Sequence, residues 1–315
     1  MIGDIGRTGR DHGVLITGAS GFLGRRLVAR ALAEGWRVRV LVRTRADDLD
    51  PRVDVRLGDI TDPKLDWPDL VDGVDTAFHL AWTTVPFSAN ADPAANVEQN
   101  LPAGLRLGAA LSRRRGTRMV FFSSGGTVYG PANMPLTEDH PQAPTSFYGE
   151  SKLQMERLLS LVNAQSGMER VVLRISNPYG PGQRSSGHFG AIATFAARAL
   201  AREPITIWGD GSVVRDYIFV DDVMDAVVKA AGVAKPSAIY NLGSGEGRAL
   251  NDIIEGLHRL LGRRIEVRYE PPRSYDVPVN VLDITRATVE LDWTPRTSFE
   301  DGLSATLASM SGGNG

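Results

Sequence analysis

From Val14 onward the chain alternates between two patterns. Short runs that are apolar almost throughout, and rich in β-branched residues, are separated by longer stretches with one apolar and one polar face. The runs are Val14–Thr17, Val38–Val42, Val53–Leu57, Thr76–Leu80, Met119–Ser123 and Val171–Ile175, and the first helical stretch is Arg25–Glu34. A strand that is apolar on both faces has to be covered on both faces. Alternation with amphipathic helices therefore predicts βαβ units joined by right-handed crossovers into a parallel sheet. The expected class is α/β, a doubly wound parallel sheet with a smaller C-terminal α/β lobe.

After about Pro178 the alternation breaks into loops rich in Gly and Pro, such as Pro178–Gln183 and Gly209–Ser212. The expected organisation is a polar, glycine-rich leader over 1–13, a first domain carrying the parallel sheet over 14–177, a second lobe mainly over 178–310, and a loose tail over 311–315. Ile239–Leu242 reads as a further strand returning to the main sheet, so strand returns are expected from about 210–245. The Arg113–Arg114–Arg115 run reads as a solvated helix end.

Composition narrows the function classes. The chain has 315 residues, enough for a sizeable core, with 42% hydrophobic and 23% charged residues and a formal net charge of −2. That charge creates no field to gather polyanions, so nucleic acid is not an expected partner. The absence of cysteine removes disulfides, thiolate nucleophiles and sulfur-ligated metals, and five scattered histidines offer no paired metal-ligand spacing. No apolar run approaches the roughly 18 to 20 residues that span a bilayer. No secretory signal is visible, and a cytoplasmic protein without a membrane or metal partner is the expectation.

The first strand runs directly into Thr17-Gly18-Ala19-Ser20-Gly21-Phe22-Leu23-Gly24, with GxxGxxG spacing, and then into a helix. In that context Gly18 permits a tight turn, Gly21 lets backbone amides approach a pyrophosphate, and Gly24 lets helix and strand pack closely. The helix N-terminus then faces the anion. A carboxylate at the end of the second strand would bind the ribose hydroxyls of NAD. Here Val42 stands near that position, followed by Arg43 and Arg45, whose guanidinium groups suit a 2′-phosphate. The cofactor is therefore expected to be NAD or NADP, with a lean to NADP.

Tyr148-Gly149-Glu150-Ser151-Lys152 sets a phenol and an ammonium four residues apart, one helical turn, so that both point from one helix face. A cationic Lys152 near Tyr148 favours the phenolate and equips it to take a proton from a hydroxyl as hydride leaves the carbon.

With these motifs in place the chain resembles the extended short-chain dehydrogenase/reductase family, and within it the nucleotide-sugar epimerase/dehydratase group. The likeness covers nearly everything from Val14 to Leu307 and includes Ser123–Gly130, Asn177–Gln183, Arg215–Tyr217, Val220–Val223 and Asn241–Gly245. The resemblance implies a cofactor site formed by Gly18, Ser20, Gly21, Phe22, Leu23 and Gly24, with Asp59 and Ile60 beside adenine. It places Leu80, Ala81 and Trp82 on the nicotinamide side and adds Asn100, Ser123, Tyr148 and Lys152. For a substrate diphosphate and base it implies Asn177, Trp208, Arg215 and Arg273, the arginines alternatively forming ion pairs with Asp216 or Asp276. It also implies a homodimer through helices flanking the active site.

Where the family carries Ser or Thr three residues before the Val of Val128-Tyr129-Gly130, this chain has Gly125. The third catalytic hydroxyl is then Ser124, with Thr127 as the alternative. The 4,6-dehydratases of the family carry Asp-Glu just before that Val, and here Gly126-Thr127 stands there, which removes the acid and base that elimination of water requires. Two redox readings remain. One is a UDP- or dTDP-sugar 4-epimerase acting by transient oxidation at C4, favoured by overall resemblance and a Thr at 127. The other is an NADPH-dependent 4-keto-6-deoxy sugar reductase, favoured by Val42 and Arg43. A non-catalytic NAD(P) sensor is the reading from another class, and the intact Tyr148–Lys152 pair speaks against it.

Overall fold

The computed structural model describes residues 11–44, 49–131, 135–185, 190–235, 237–272 and 277–311. In chain order its first half runs β1 (Gly13–Thr17), α1 (Phe22–Ala33), β2 (Arg37–Val42), β3 (Asp54–Leu57), α2 (Trp67–Leu70), β4 (Thr76–His79), α3 (Pro86–Ala91), α4 (Pro93–Leu111), β5 (Arg118–Ser124), α5 (Phe147–Ser166) and β6 (Glu169–Ile175). It continues with β7 (Asn177–Tyr179), α6 (Ala191–Leu200), β8 (Ile205–Trp208), β9 (Val214–Phe219), α7 (Val220–Gly232), β10 (Ser237–Leu242), β11 (Gly247–Ala249), α8 (Leu250–Leu261), β12 (Val267–Glu270), β13 (Val279–Asn280), α9 (Thr285–Leu291) and α10 (Phe299–Ser311).

The main sheet has seven strands in the order β10-β6-β5-β4-β1-β2-β3, and β2 with β1, β1 with β4, β3 with β2 and β5 with β4 pair in parallel. Read from β3 to β6 this is the 3-2-1-4-5-6 order of the doubly wound fold, in which the connections reverse direction between β1 and β4 and leave a crevice beyond their carboxyl ends. β10 is Ile239–Leu242 with two residues added, and it does return to this sheet.

The chain divides into two compact units. The first comprises Met1–Ser124, Ser146–Arg174 and Met224–Tyr240. Its core is built from strand positions such as Leu15, Leu41, Phe121 and Val172, packed with Leu107, Met155 and Leu159 from α4 and α5. The second comprises Gly125–Thr145, Ile175–Val223 and Asn241–Gly315, so the stretch after β5 groups with the C-terminal residues. Its core gathers Tyr179, Phe195, Tyr217, Phe219, Ile253, Leu257 and Leu303. Here short strands pair off separately, β9 with β7, β11 and β13, and β8 with β12.

Helix ends follow from local chemistry. Ser146 caps α5 by accepting from the Gly149 N–H at 3.1 Å, and Gly167, at φ 73°, ends it in the left-handed region that glycine occupies without strain. Among the described residues no helix is long and apolar enough to cross a membrane.

Candidate active site

The glycine turn leaves β1 at Thr17, beside β4. Gly18 has φ 78°, and a Cβ there would lie 2.7 Å from the Ala81 backbone nitrogen, so the loops after β1 and β4 meet with no room for a side chain. A Cβ on Gly24 would lie 2.1 Å from the Gly18 carbonyl oxygen, whereas one on Gly21 would meet that oxygen at 3.3 Å. Gly18 and Gly24 thus serve close packing, while Ser20 and Gly21 are exposed. Gly21 is the N-cap of α1, with no side-chain cap and no acidic residue in the first turn, so the amides at this helix start carry their positive potential toward the exposed side of the turn. This bare cradle, opening where β1 and β4 diverge, fits a pyrophosphate. Phe22 and Leu23 begin the helix that carries it.

The loop after β4 is tied from below. Thr17 Oγ1 bonds His79 Nδ1 at 2.8 Å, and the Leu80 N–H donates to the Thr17 carbonyl at 3.2 Å. Burial pushes the His79 imidazole down to about 3, which leaves it neutral. Asn100, expected at the cofactor, is buried and accepts from the Thr83 N–H at 2.8 Å, so its side chain shapes the Thr83–Thr84 loop. Asn96, one turn earlier on α4, was not singled out from the sequence. It accepts from Thr84 Oγ1 at 2.6 Å and donates to the Phe147 carbonyl at 3.2 Å, linking this loop to the start of α5. The i, i+4 repetition of Asn on an otherwise amphipathic helix was its one sequence signal.

At the end of β2, Arg43 is exposed. Asp59 accepts from the Thr61 N–H and hydroxyl, which hold its carboxyl below the ordinary range, and the charge of Arg43 adds to that effect. Ile60 is buried next to it. Arg45 and Arg273 lie outside the described residues.

Tyr148 and Lys152 share one face of α5. Lys152 Nζ donates to the Phe122 carbonyl at 2.8 Å and sits 3.9 Å from the centre of the Trp82 ring and 5.7 Å from that of Tyr148. Burial lowers the ammonium to about 7, against the opposing charge of Glu156, and pushes the Tyr148 phenol up to about 12. The expected depression of the phenol by Lys152 is not realised in this arrangement: dehydration outweighs a cation whose hydrogen bond goes to a carbonyl. Ser123 donates to Glu156, and Ser124 closes β5 half-buried.

In the second unit, Thr127 carries a buried hydroxyl without a hydrogen-bond partner among the described residues. Asn177 donates to the Asp216 carbonyl at 2.9 Å, and Arg215 donates to the Val277 carbonyl at 2.6 Å, so β9 brings these two together. The Asp216 carboxylate accepts from the Ser244 and Leu282 N–H groups and the Ser176 hydroxyl, the work of a loop anchor. Trp208 ends β8, 41% exposed, in the separate two-stranded sheet.

The model of the NAD dependent epimerase/dehydratase family matches residues 14–243. The chain is 33% identical over 302 residues to UDP-glucose 4-epimerase of Mycolicibacterium smegmatis, covering 93% of this chain and 96% of that protein. It is 29% identical over 327 residues to dTDP-4-dehydro-6-deoxyglucose reductase of Escherichia coli, covering 96% and 98%. Among solved structures, UDP-glucose 4-epimerase of Thermotoga maritima with UDP-glucose superposes with a TM-score of 0.90 at 30% identity, covering 95% and 99% of the two chains. With its doubly wound sheet, glycine cradle and family match, the chain belongs to the NAD-dependent epimerase/dehydratase family of enzymes.

Proposed function

We propose that the protein is a nucleotide-diphosphate-sugar 4-epimerase, with Tyr148 as acid and base and Lys152 as its cationic partner. The observation that carries this reading is the placement of Tyr148 and Lys152 on one face of α5, with the ammonium packed on Trp82 and bonded to the carboxyl end of β5. Similarity to UDP-glucose 4-epimerases supports a UDP- or dTDP-linked sugar as substrate and transient oxidation at C4 as the reaction.

A dinucleotide held at the Gly18–Gly24 turn would supply the hydride acceptor and donor for C4. The chain's own residues manage the proton. A phenol near 12 is a proton donor at neutral pH, ready to protonate the C4 oxygen as the carbonyl is reduced. In the oxidative direction it has to accept that proton, and a cationic Lys152 lowers the cost of the phenolate. Ser124, with Thr127 as the alternative, supplies the hydroxyl that orients the C4 oxygen. Asn177, Arg215 and Arg273 hold the diphosphate, and Trp208 covers the base. A homodimer is the assembly we propose.

A reductase acting on a 4-keto-6-deoxy nucleotide sugar with NADPH is the second reading. It is favoured by the absence of an acid at Val42, by exposed Arg43, and by similarity to the E. coli reductase. Replacing Tyr148→Phe removes only the proton transfer. Turnover on UDP-sugars is expected to fall by about two orders of magnitude or more while dinucleotide affinity stays near the parent's. Near-parental turnover in this variant would rule out the mechanism.

A further inference from the structure

Three cations crowd one carboxylate beneath Tyr148. β6 sets Arg170 and Arg174 on either side of Val172, on the face that packs against Met155 and Leu159 of α5, and α5 sets Lys152 and Glu156 one turn apart. Arg174 donates to Glu156 through Nη2 at 2.7 Å and Nε at 3.1 Å, and the two side chains are only 2% and 4% exposed. Arg170 is 8% exposed, and its Nε and Nη1 have no hydrogen-bond partner among the described residues. Burial pushes both Arg170 and Lys152 toward neutrality, and on each of them Glu156 is the charge that opposes it.

The same carboxylate has a mechanical role. It accepts from Ser123 Oγ, and the neighbouring Phe122 carbonyl is the group to which Lys152 Nζ donates. Charge and strand position therefore converge on one side chain.

We propose that Glu156 is a positioning residue for the reaction, holding Lys152 as a cation and fixing the strand end Phe122–Ser124 on which Lys152 rests, with Arg174 locking the carboxylate in place. The inference rests on the assignment of Lys152 as a catalytic group. The titratable groups around Lys152 are Tyr148 and Glu156 on α5 and His79 on β4, with Arg170 and Arg174 of β6 behind Glu156. Tyr148 and His79 are neutral near pH 7, so Glu156 is the negative charge among them.

The chain contains four lysines, at 64, 152, 229 and 235, so a ¹³Cε-lysine NMR titration of the cofactor-free protein gives four signals. That of Lys152 is identified by its loss in Lys152→Met. Glu156→Gln is expected to move the Lys152 titration down by about one pH unit or more, and Glu156→Asp to restore it. Because Glu156→Gln strands two buried arginines, the paired swap Glu156→Met with Arg174→Met removes one negative and one positive charge together, leaves the net charge of the cluster unchanged and its space filled, and is expected to fold and lower the titration too. An unshifted Lys152 in the paired swap, or in folded Glu156→Gln, would overturn the proposal. Failure of the catalytic assignment reads out separately, as turnover that survives in Lys152→Met.

Discussion

Lys152 and Tyr148 owe their chemistry to their surroundings: the ammonium rests on the Phe122 carbonyl and the Trp82 ring, and burial holds the phenol protonated near neutral pH. Tyr148 and Lys152 stand out in the sequence because four residues make one helical turn, and the helix is there. The direction of the phenol's shift was not legible, since it is set by dehydration and by where the ammonium's hydrogen bond goes. Nor was Glu156, because a Glu on a helix and an Arg on a strand look alike whether paired in water or at 4% exposure in a core. Arg43 is the residue on which we propose that cofactor choice turns. Its exposure leaves it free to meet a 2′-phosphate, while its charge already acts on Asp59. If the phosphate contact forms, Arg43→Ala weakens NADPH by about tenfold and NADH far less, as loss of one charge-assisted hydrogen bond implies. Titration of both cofactors by fluorescence checks this, and an equal effect on the two would mark Arg43 as a surface residue.

At the scale of elements, the central strands of the main sheet were legible because burial on both faces writes a continuous apolar run, and their alternation with helices gave the doubly wound class, while the strand order emerged only from the fold. The strands of the second unit were not. β7 and β11 have three residues and β13 two, too short for any period to register, and they are held by pairing with β9. The turn between β1 and α1 separates packing from binding. Gly24→Ala drives a Cβ into the Gly18 carbonyl and is expected to destabilise the fold by about 1–3 kcal/mol or more, visible as a lower melting temperature without cofactor. Gly21 has φ −76°, which alanine accepts, and its exposed side faces the proposed pyrophosphate. Gly21→Ala should melt close to the parent yet bind dinucleotide at least about tenfold more weakly. Equal melting of the two variants would contradict this division of labour.

For the whole molecule, the sequence carried the class and the return of β10 to the sheet, but not the grouping of Gly125–Thr145 with the C-terminal unit. That grouping arises from long-range ties such as the Gly125 N–H to the Ile175 carbonyl at 2.8 Å and Tyr129 to Asn241 at 2.6 Å, which leave no local signature. Function at this scale is a claim about one hydride. If the enzyme oxidises C4 and returns the same hydride to the other face, UDP-glucose deuterated at C4 and incubated in ordinary water should give UDP-galactose that retains its deuterium at C4. Loss of the deuterium to solvent, or reduction of a 4-keto sugar without any conversion of UDP-sugars, would contradict the epimerase mechanism.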